Sequence, residues 1–191
     1  MSFYYQAEQW LPYPNDAVFA FFANPENLPA LMPPWQKARI EHSTIVPPPH
    51  SSGNTPMAGA GSRITLSFRP LPALSFRLRW QAEITEFDPH SHFTDRQVQG
   101  PFAFWTHTHR IRGVDRAGIN ITVIIDQVEY EPPMGPLGHI VNALFIRKQL
   151  ERTFAYRQKR IAELMPKLLN PVIPMAQSQP IKPIAPGKLS A

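Results

Sequence analysis

Two histidines one residue apart, His107 and His109, lie in a segment that alternates in polarity, so on a strand their imidazoles share one face. Asp95 and Asp126 occupy the alternating segments before and after it. A carboxylate beside an imidazole orients the ring and raises its basicity. His107, with Asp126 or Asp95 behind it, could then move a proton near neutral pH on a carbonyl-bearing substrate, as cyclisation or dehydration requires. Two other uses are open. The imidazoles could offer hydrogen bonds to a ligand carbonyl or hydroxyl, or the row could be a satisfied core network that fixes strand register. For a metal, the backbone spacing of the pair is about 7 Å, and Asp126 could add a third ligand. No helical H-E-x-x-H motif occurs, and such strand pairs are common without metal, so neither a metal nor a cofactor is expected.

Other chemistries are excluded by what is absent. There is no Cys, hence no thiolate nucleophile, disulfide or cysteine metal site. No G-x-S-x-G elbow presents a serine. Gly59-Ala60-Gly61 lacks the Lys and the following helix of a phosphate loop.

The elements that must position these residues follow from hydrophobic periodicity. Residues 2–11 alternate and are aromatic, which predicts a strand. Asn15-Asp16 caps a short helix over 17–23 with Val18, Phe21 and Phe22 on one face, and a second short helix spans 26–31 before Pro33-Pro34. Period-two alternation then predicts strands near 36–46, 62–69, 75–87, 91–99, 103–114 and 118–130. Residues 137–164 form one long helix with Ile140, Val141, Leu144, Phe154, Ile161 and Leu164 at helical spacing. Its cations Arg147, Lys148, Arg152, Arg157, Lys159 and Arg160 are assigned to the solvent face, and Pro166 ends it. An antiparallel sheet covered by one long helix must curve around it, which leaves a space between them.

If Asp115 pairs with Gly118 across the turn Asp115-Arg116-Ala117-Gly118, His107 faces Asp126, Trp105 faces Val128 and His109 faces Ile124. A register around Gly100-Pro101 puts Asp95 beside His107 and Gln97 beside Trp105. Trp105, His107, His109 and Ile111 then point inward, opposite Thr106, Thr108, Arg110 and Arg112. The run Ile119, Ile121, Val123 and Ile125 competes, since a bulge near Gly118 would shift the register by one residue. Leu78, Trp80, Ala82 and Ile84 alternate to make one apolar wall with Ile64, Leu66 and Phe68, joined by Phe22, Leu144 and Phe154. Such a stripe closes either into a dry core or around a cavity, with the Tyr130 hydroxyl at the cavity end.

The segment 18–29, VFAFFANPENLP, together with Gln97-Val98-Gln99-Gly100-Pro101-Phe102, Trp105, His107, His109, Asp126, Val128 and Tyr130, resembles the START-like helix-grip (SRPBCC) superfamily in its polyketide cyclase/dehydrase branch. Leu137-Gly138, Asn142, Leu150 and Phe154-Ala155-Tyr156-Arg157 extend the resemblance over about residues 2–165. It implies an α+β helix-grip fold, a curved antiparallel seven-stranded sheet wrapped around one long C-terminal helix, with two short helices after the first strand. It also implies a cavity for a lipid, polyketide or quinone-like molecule, with Trp80, Trp105, His107, His109 and Tyr130 in contact and Gln97, Leu78 and Phe154 nearby. A non-catalytic binder is favoured over a cyclase or dehydratase using His107, Asp126 and Asp95. The enlarged loop 47–61 departs from the family pattern.

The 191 residues fit one domain, here 1–165, followed by a tail over 166–191 holding six Pro, three Lys and no acid, which reads as disordered. Much of the net charge of +5 therefore sits in the tail, and nucleic acid is not expected as a partner. The basic helix and tail leave a transient contact with an anionic membrane surface as a third function. The first residues lack the basic and apolar regions of a signal peptide, which predicts a cytoplasmic protein.

Overall fold

The alternating segments fold as one antiparallel sheet in a computed structural model that describes residues 2–49, 57–71, 73–116 and 119–169. Its strands are β1 (Phe3–Leu11), β2 (Arg39–Thr44), β3 (Arg63–Phe68), β4 (Leu78–Asp88), β5 (His92–Gln99), β6 (Phe104–Arg116) and β7 (Ile119–Glu131). The spatial order β1-β7-β6-β5-β4-β3-β2 makes a meander whose last strand pairs back with the first. Register breaks at Ile40/His42, Gln81/Ala82 and Ile84/Glu86 bend the β2–β5 half, because an extra residue on one strand increases local twist. Residues 117–118 of the expected turn, part of the 47–61 loop (50–56), and the tail from residue 170 lie outside the described residues.

Helix α1 (Asn15–Ala23) buries Val18, Phe19, Phe21 and Phe22. The expected Asn15-Asp16 cap does not form. Pro14 occupies the capping position, while the Asn15 amide donates to the His90 carbonyl at 2.7 Å and Asp16 lies 3.0 Å from His90 Nδ1. Those two side chains tie the helix start to the β4–β5 turn instead. The second short helix is realised as successive single turns of 3-10 helix, Pro25–Asn27, Pro29–Leu31 and Pro34–Gln36. Each begins on a proline; Asn24 and Pro33, which precede two of them, leave the helical region, while Leu28 before Pro29 stays helical.

The long C-terminal helix consists of α2 (Pro136–Val141), a π segment (Asn142–Ile146) and α3 (Arg147–Leu168). Two expectations are corrected here. Pro166 does not stop the helix, which runs on to Leu168, since the loss of one N–H in the final turn leaves only one carbonyl unpaired there. Ile140 and Leu144 do not face the sheet: they are 58% and 69% exposed. The wider π turn changes the phase of the helix, so the inner face upstream passes to Asn142 and Ile146. Downstream, Leu150, Phe154, Arg157, Ile161 and Met165 are buried.

Tyr130 on β7 holds that π segment. It is 2% exposed, and its hydroxyl donates to Asn142 Oδ1 at 2.7 Å. Tyr130→Phe leaves a buried acceptor without its donor, and we expect a loss of about 1–3 kcal/mol in urea unfolding. Tyr4→Phe, on an exposed ring whose hydroxyl meets Gln6, should change stability by less than about 0.5 kcal/mol.

Candidate functional site

Between the concave face of the sheet and the long helix lies a cavity of about 430 Å³. Ile64 and Leu66 of β3 and Leu78, Trp80, Ala82 and Ile84 of β4 form one wall, as their alternation requires. Ile146, Leu150 and Phe154 cover it from the helix, and Phe21 and Phe22 of α1 close another side. Trp80 and Trp105 meet edge to face at 4.9 Å within this lining. Against this apolar background stand a few polar side chains: Asp95, His107 and His109 from the sheet, Arg157 and Gln149 from α3, and Gln36 from the last 3-10 turn.

The hairpin register differs from the expected one by two residues. Arg116 pairs with Ile119, and His109 rather than His107 stands opposite Asp126. His107 faces Val128, Trp105 faces Tyr130 and Ile111 faces Ile124. A shift of two preserves the side-chain faces, so Trp105, His107, His109 and Ile111 are all buried on the inner side. On β5, Asp95 stands opposite His107.

One carboxylate oxygen organises the cluster. His107 Nε2–H donates to Asp126 Oδ1 at 3.0 Å, and His109 Nδ1 approaches the same oxygen at 2.7 Å. His109 Nδ1 is also 3.4 Å from Arg157 Nη2. A ring nitrogen 2.7 Å from an anionic oxygen must carry a proton, because two lone pairs at that distance repel, so the carboxylate contact fixes the tautomer. Arg157 Nη2 lies 3.8 Å from Asp126 Oδ1, with its guanidinium over the rings of Phe22 at 5.1 Å and Phe154 at 5.8 Å. Burial by itself pushes the Asp126 carboxyl up, but the Arg157 charge and the two imidazole hydrogen bonds outweigh it and hold the group well below the usual carboxylate range. Burial pushes the His107 imidazole down, reinforced by His109, and the carboxylates Asp126 and Asp95 oppose this without reversing it. His107 Nδ1 lies 3.6 Å from Asp95 Oδ2.

The sequence profile of the family described as polyketide cyclase / dehydrase and lipid transport matches residues 11–158. The chain belongs to that family. Solved structures share its fold at low identity. A START superfamily protein from Mycobacterium smegmatis superposes with a TM-score of 0.59 at 12% identity, over 87% of this chain and 99% of that one. An aromatase/cyclase from a Streptomyces species gives 0.61 at 12%, over 86% and 93%. Norcoclaurine synthase from Thalictrum flavum gives 0.54 at 16%, over 85% and 88%. No curated protein sequence matches the chain. The helix-grip architecture and membership of the polyketide cyclase / dehydrase and lipid transport family are thus established, and among the described residues no helix is long and apolar enough to cross a membrane.

Of the residues singled out from sequence, Leu78, Trp80, Asp95, Trp105, His107, His109 and Phe154 line the cavity. Asp126 does not; it stands behind the two imidazoles. Gln97 is not in the lining: its amide donates to the Phe102 carbonyl at 2.8 Å and accepts the Phe102 N–H at 3.3 Å, closing the β5–β6 loop. Tyr130 is not in the lining either, and its hydroxyl donates to Asn142. Arg157, assigned to solvent, is buried. The signal for it existed, since Arg157 follows Phe154 by three residues and precedes Ile161 by four, on the same buried stripe. Gln36 and Gln149 carried no such signal.

Removing the Asp126 charge strands Arg157 in a low-dielectric site. We expect Asp126→Ala to cost about 3–5 kcal/mol in chemical unfolding. Asp126→Ala combined with Arg157→Leu should recover part of that loss, because the double change leaves no uncompensated charge.

Proposed function

We propose that this chain binds and carries a small, mostly hydrophobic molecule of the lipid, polyketide or quinone-like class between sheet and helix. The observation that carries the reading is the cavity itself: about 430 Å³, apolar over most of its lining, with few polar groups converging on it. Ligand sites commonly occupy about 300–1,000 Å³ with this composition. Three of the residues that line it also carry a buried polar atom without a protein partner, the acceptor Gln36 Oε1 and the donors Gln149 Nε2 and Arg157 Nε. Such groups suit a ligand with oxygen functions on an apolar frame.

The protein incubated with a lipid and quinone extract should retain a defined species in native mass spectrometry and melt at higher temperature. Ligand at about 100 times its Kd adds roughly 2.7 kcal/mol to stability. Ala82→Phe, which projects a ring into the cavity from the middle of β4, should keep the fold and weaken uptake at least about tenfold, or about 1.4 kcal/mol. Absence of any retained species and of any thermal shift would overturn the reading.

A second reading concerns where the cargo is exchanged. Met134, Leu137, Ile140 and Leu144 are all more than half exposed around α2 and the π segment, and the exposed Lys148 and Arg152 follow on α3. Val141, Phe145 and Ile146 of the same stretch line the cavity. We propose that this stretch rests on an anionic bilayer during loading, its apolar side chains at the acyl boundary and its cations at the headgroups. Leu144→Glu should abolish most sedimentation with phosphatidylserine vesicles at low salt. Lys148→Glu should weaken it by about 1 kcal/mol or more, with no change in melting temperature.

A further inference from the structure

His107 and His109 each turn one ring nitrogen to Asp126, which points the other nitrogens, His107 Nδ1 and His109 Nε2, at Asp95. Both are 3.6 Å from Asp95 Oδ2, and the three atoms lie within 4.8 Å of one another. At 3.6 Å neither pair is a hydrogen bond. Three electron-pair donors thus face one another in a largely buried setting, with side-chain exposures of 8%, 7% and 22% for His107, His109 and Asp95. Such a grouping is neutralised either by a proton on a ring or by a metal ion among the three, and its separations fit the second.

We propose that Asp95, His107 and His109 bind a divalent transition-metal ion, zinc being the best match, on the wall of the cavity. Zinc holds imidazole nitrogen at about 2.0–2.1 Å and carboxylate oxygen at about 2.0–2.2 Å, so tetrahedral ligands stand about 3.4 Å apart. The observed separations from Asp95 are close to that value. Asp126 supplies the outer support of such a site: a carboxylate that takes the second N–H of each ligating imidazole fixes its tautomer and raises its basicity. Arg157 behind Asp126 leaves a local charge of minus one from two carboxylates and one guanidinium, which favours a divalent ion. All three ligands line the cavity and Asp126 does not, so the remaining coordination positions face the cavity, for water or for an oxygen of a bound molecule. The third ligand is Asp95, across the β5–β6 ladder, and not Asp126 as the spacing of the sequence suggested.

The site is tested on the full-length protein without any hydrophobic ligand, so its outcome is separate from that of cavity binding. After chelator treatment and dialysis, zinc titrated calorimetrically should bind one ion per chain. Cobalt(II) in its place should show the visible absorption bands of a four- or five-coordinate ion with nitrogen ligands. Asp95→Asn, at the most exposed of the three positions, should weaken zinc binding by more than about 100-fold, beyond the loss that an outer-shell partner gives. His109→Gln should do the same, while His92→Gln on the outer surface should leave affinity unchanged. Folding of each variant is checked by its circular dichroism and melting curve. Failure of the folded wild-type protein to bind zinc would overturn the proposal. So would binding that survives Asp95→Asn and His109→Gln, or that disappears with His92→Gln.

Discussion

The buried carboxylate of Asp126 is the group on which sheet, helix and cavity all depend. Taking an anion out of water costs several kcal/mol, and only near-ideal partners offset it. Here they come from two elements: the imidazoles of His107 and His109 on β6, and the guanidinium of Arg157 on α3. Slipping β7 by one residue would turn Asp126 to the convex face, and moving α3 by one turn would withdraw Arg157. The register of the hairpin and the seat of the helix are therefore set by one atom, Oδ1. Apolar packing flanks this cluster on both sides. Phe19, Ile111, Ile124, Ile161 and Met165 belong to one core, and Trp105, Val128, Tyr130, Leu150 and Phe154 to the other. A helix fixed by ions in its middle and by packing on either side need not fill the space beneath it.

The strands and the long helix were legible because each is written locally. Alternation across residues 63–131 has one physical solution once a face is buried, and the structure follows it within a few residues at each boundary. The inward face of β6 was legible for the same reason. The turn tip was not, because a hairpin closing on Arg116/Ile119 and one closing on Asp115/Gly118 differ by two residues and bury the same side chains. Local pattern cannot separate registers that differ by an even number. Asp126 thus ended opposite His109, and its contact with His107 runs diagonally.

The helix shows the opposite failure, where period mattered and was altered. A single π segment at 142–146 changes the phase, so Leu144 and Ile140 emerge on the surface although their spacing from Phe154 is helical. Nothing in the local sequence announces it; its first residue, Asn142, accepts from the Tyr130 hydroxyl, a tertiary partner. Arg157 was misplaced for a chemical reason, since a guanidinium is normally solvated, and only a buried anion from a strand 31 residues earlier makes its burial favourable. Long-range partners of this kind are invisible until the sheet is assembled.

The polar atoms of the cavity constrain its occupant further than its volume does. An apolar hollow alone would accept any hydrocarbon of suitable size. Gln36 Oε1, Gln149 Nε2 and Arg157 Nε are buried without protein partners, and each such group costs about 1–3 kcal/mol while it stays unpaired. A plain hydrocarbon would leave all three costs in place and would separate them from water as well. A molecule with a carbonyl or hydroxyl at matching points removes part of that penalty while still burying its frame against Trp80, Leu66 and Phe154. In the proposed carrier, selectivity would rest on a few groups from the 3-10 turns and the helix, and affinity on the sheet wall.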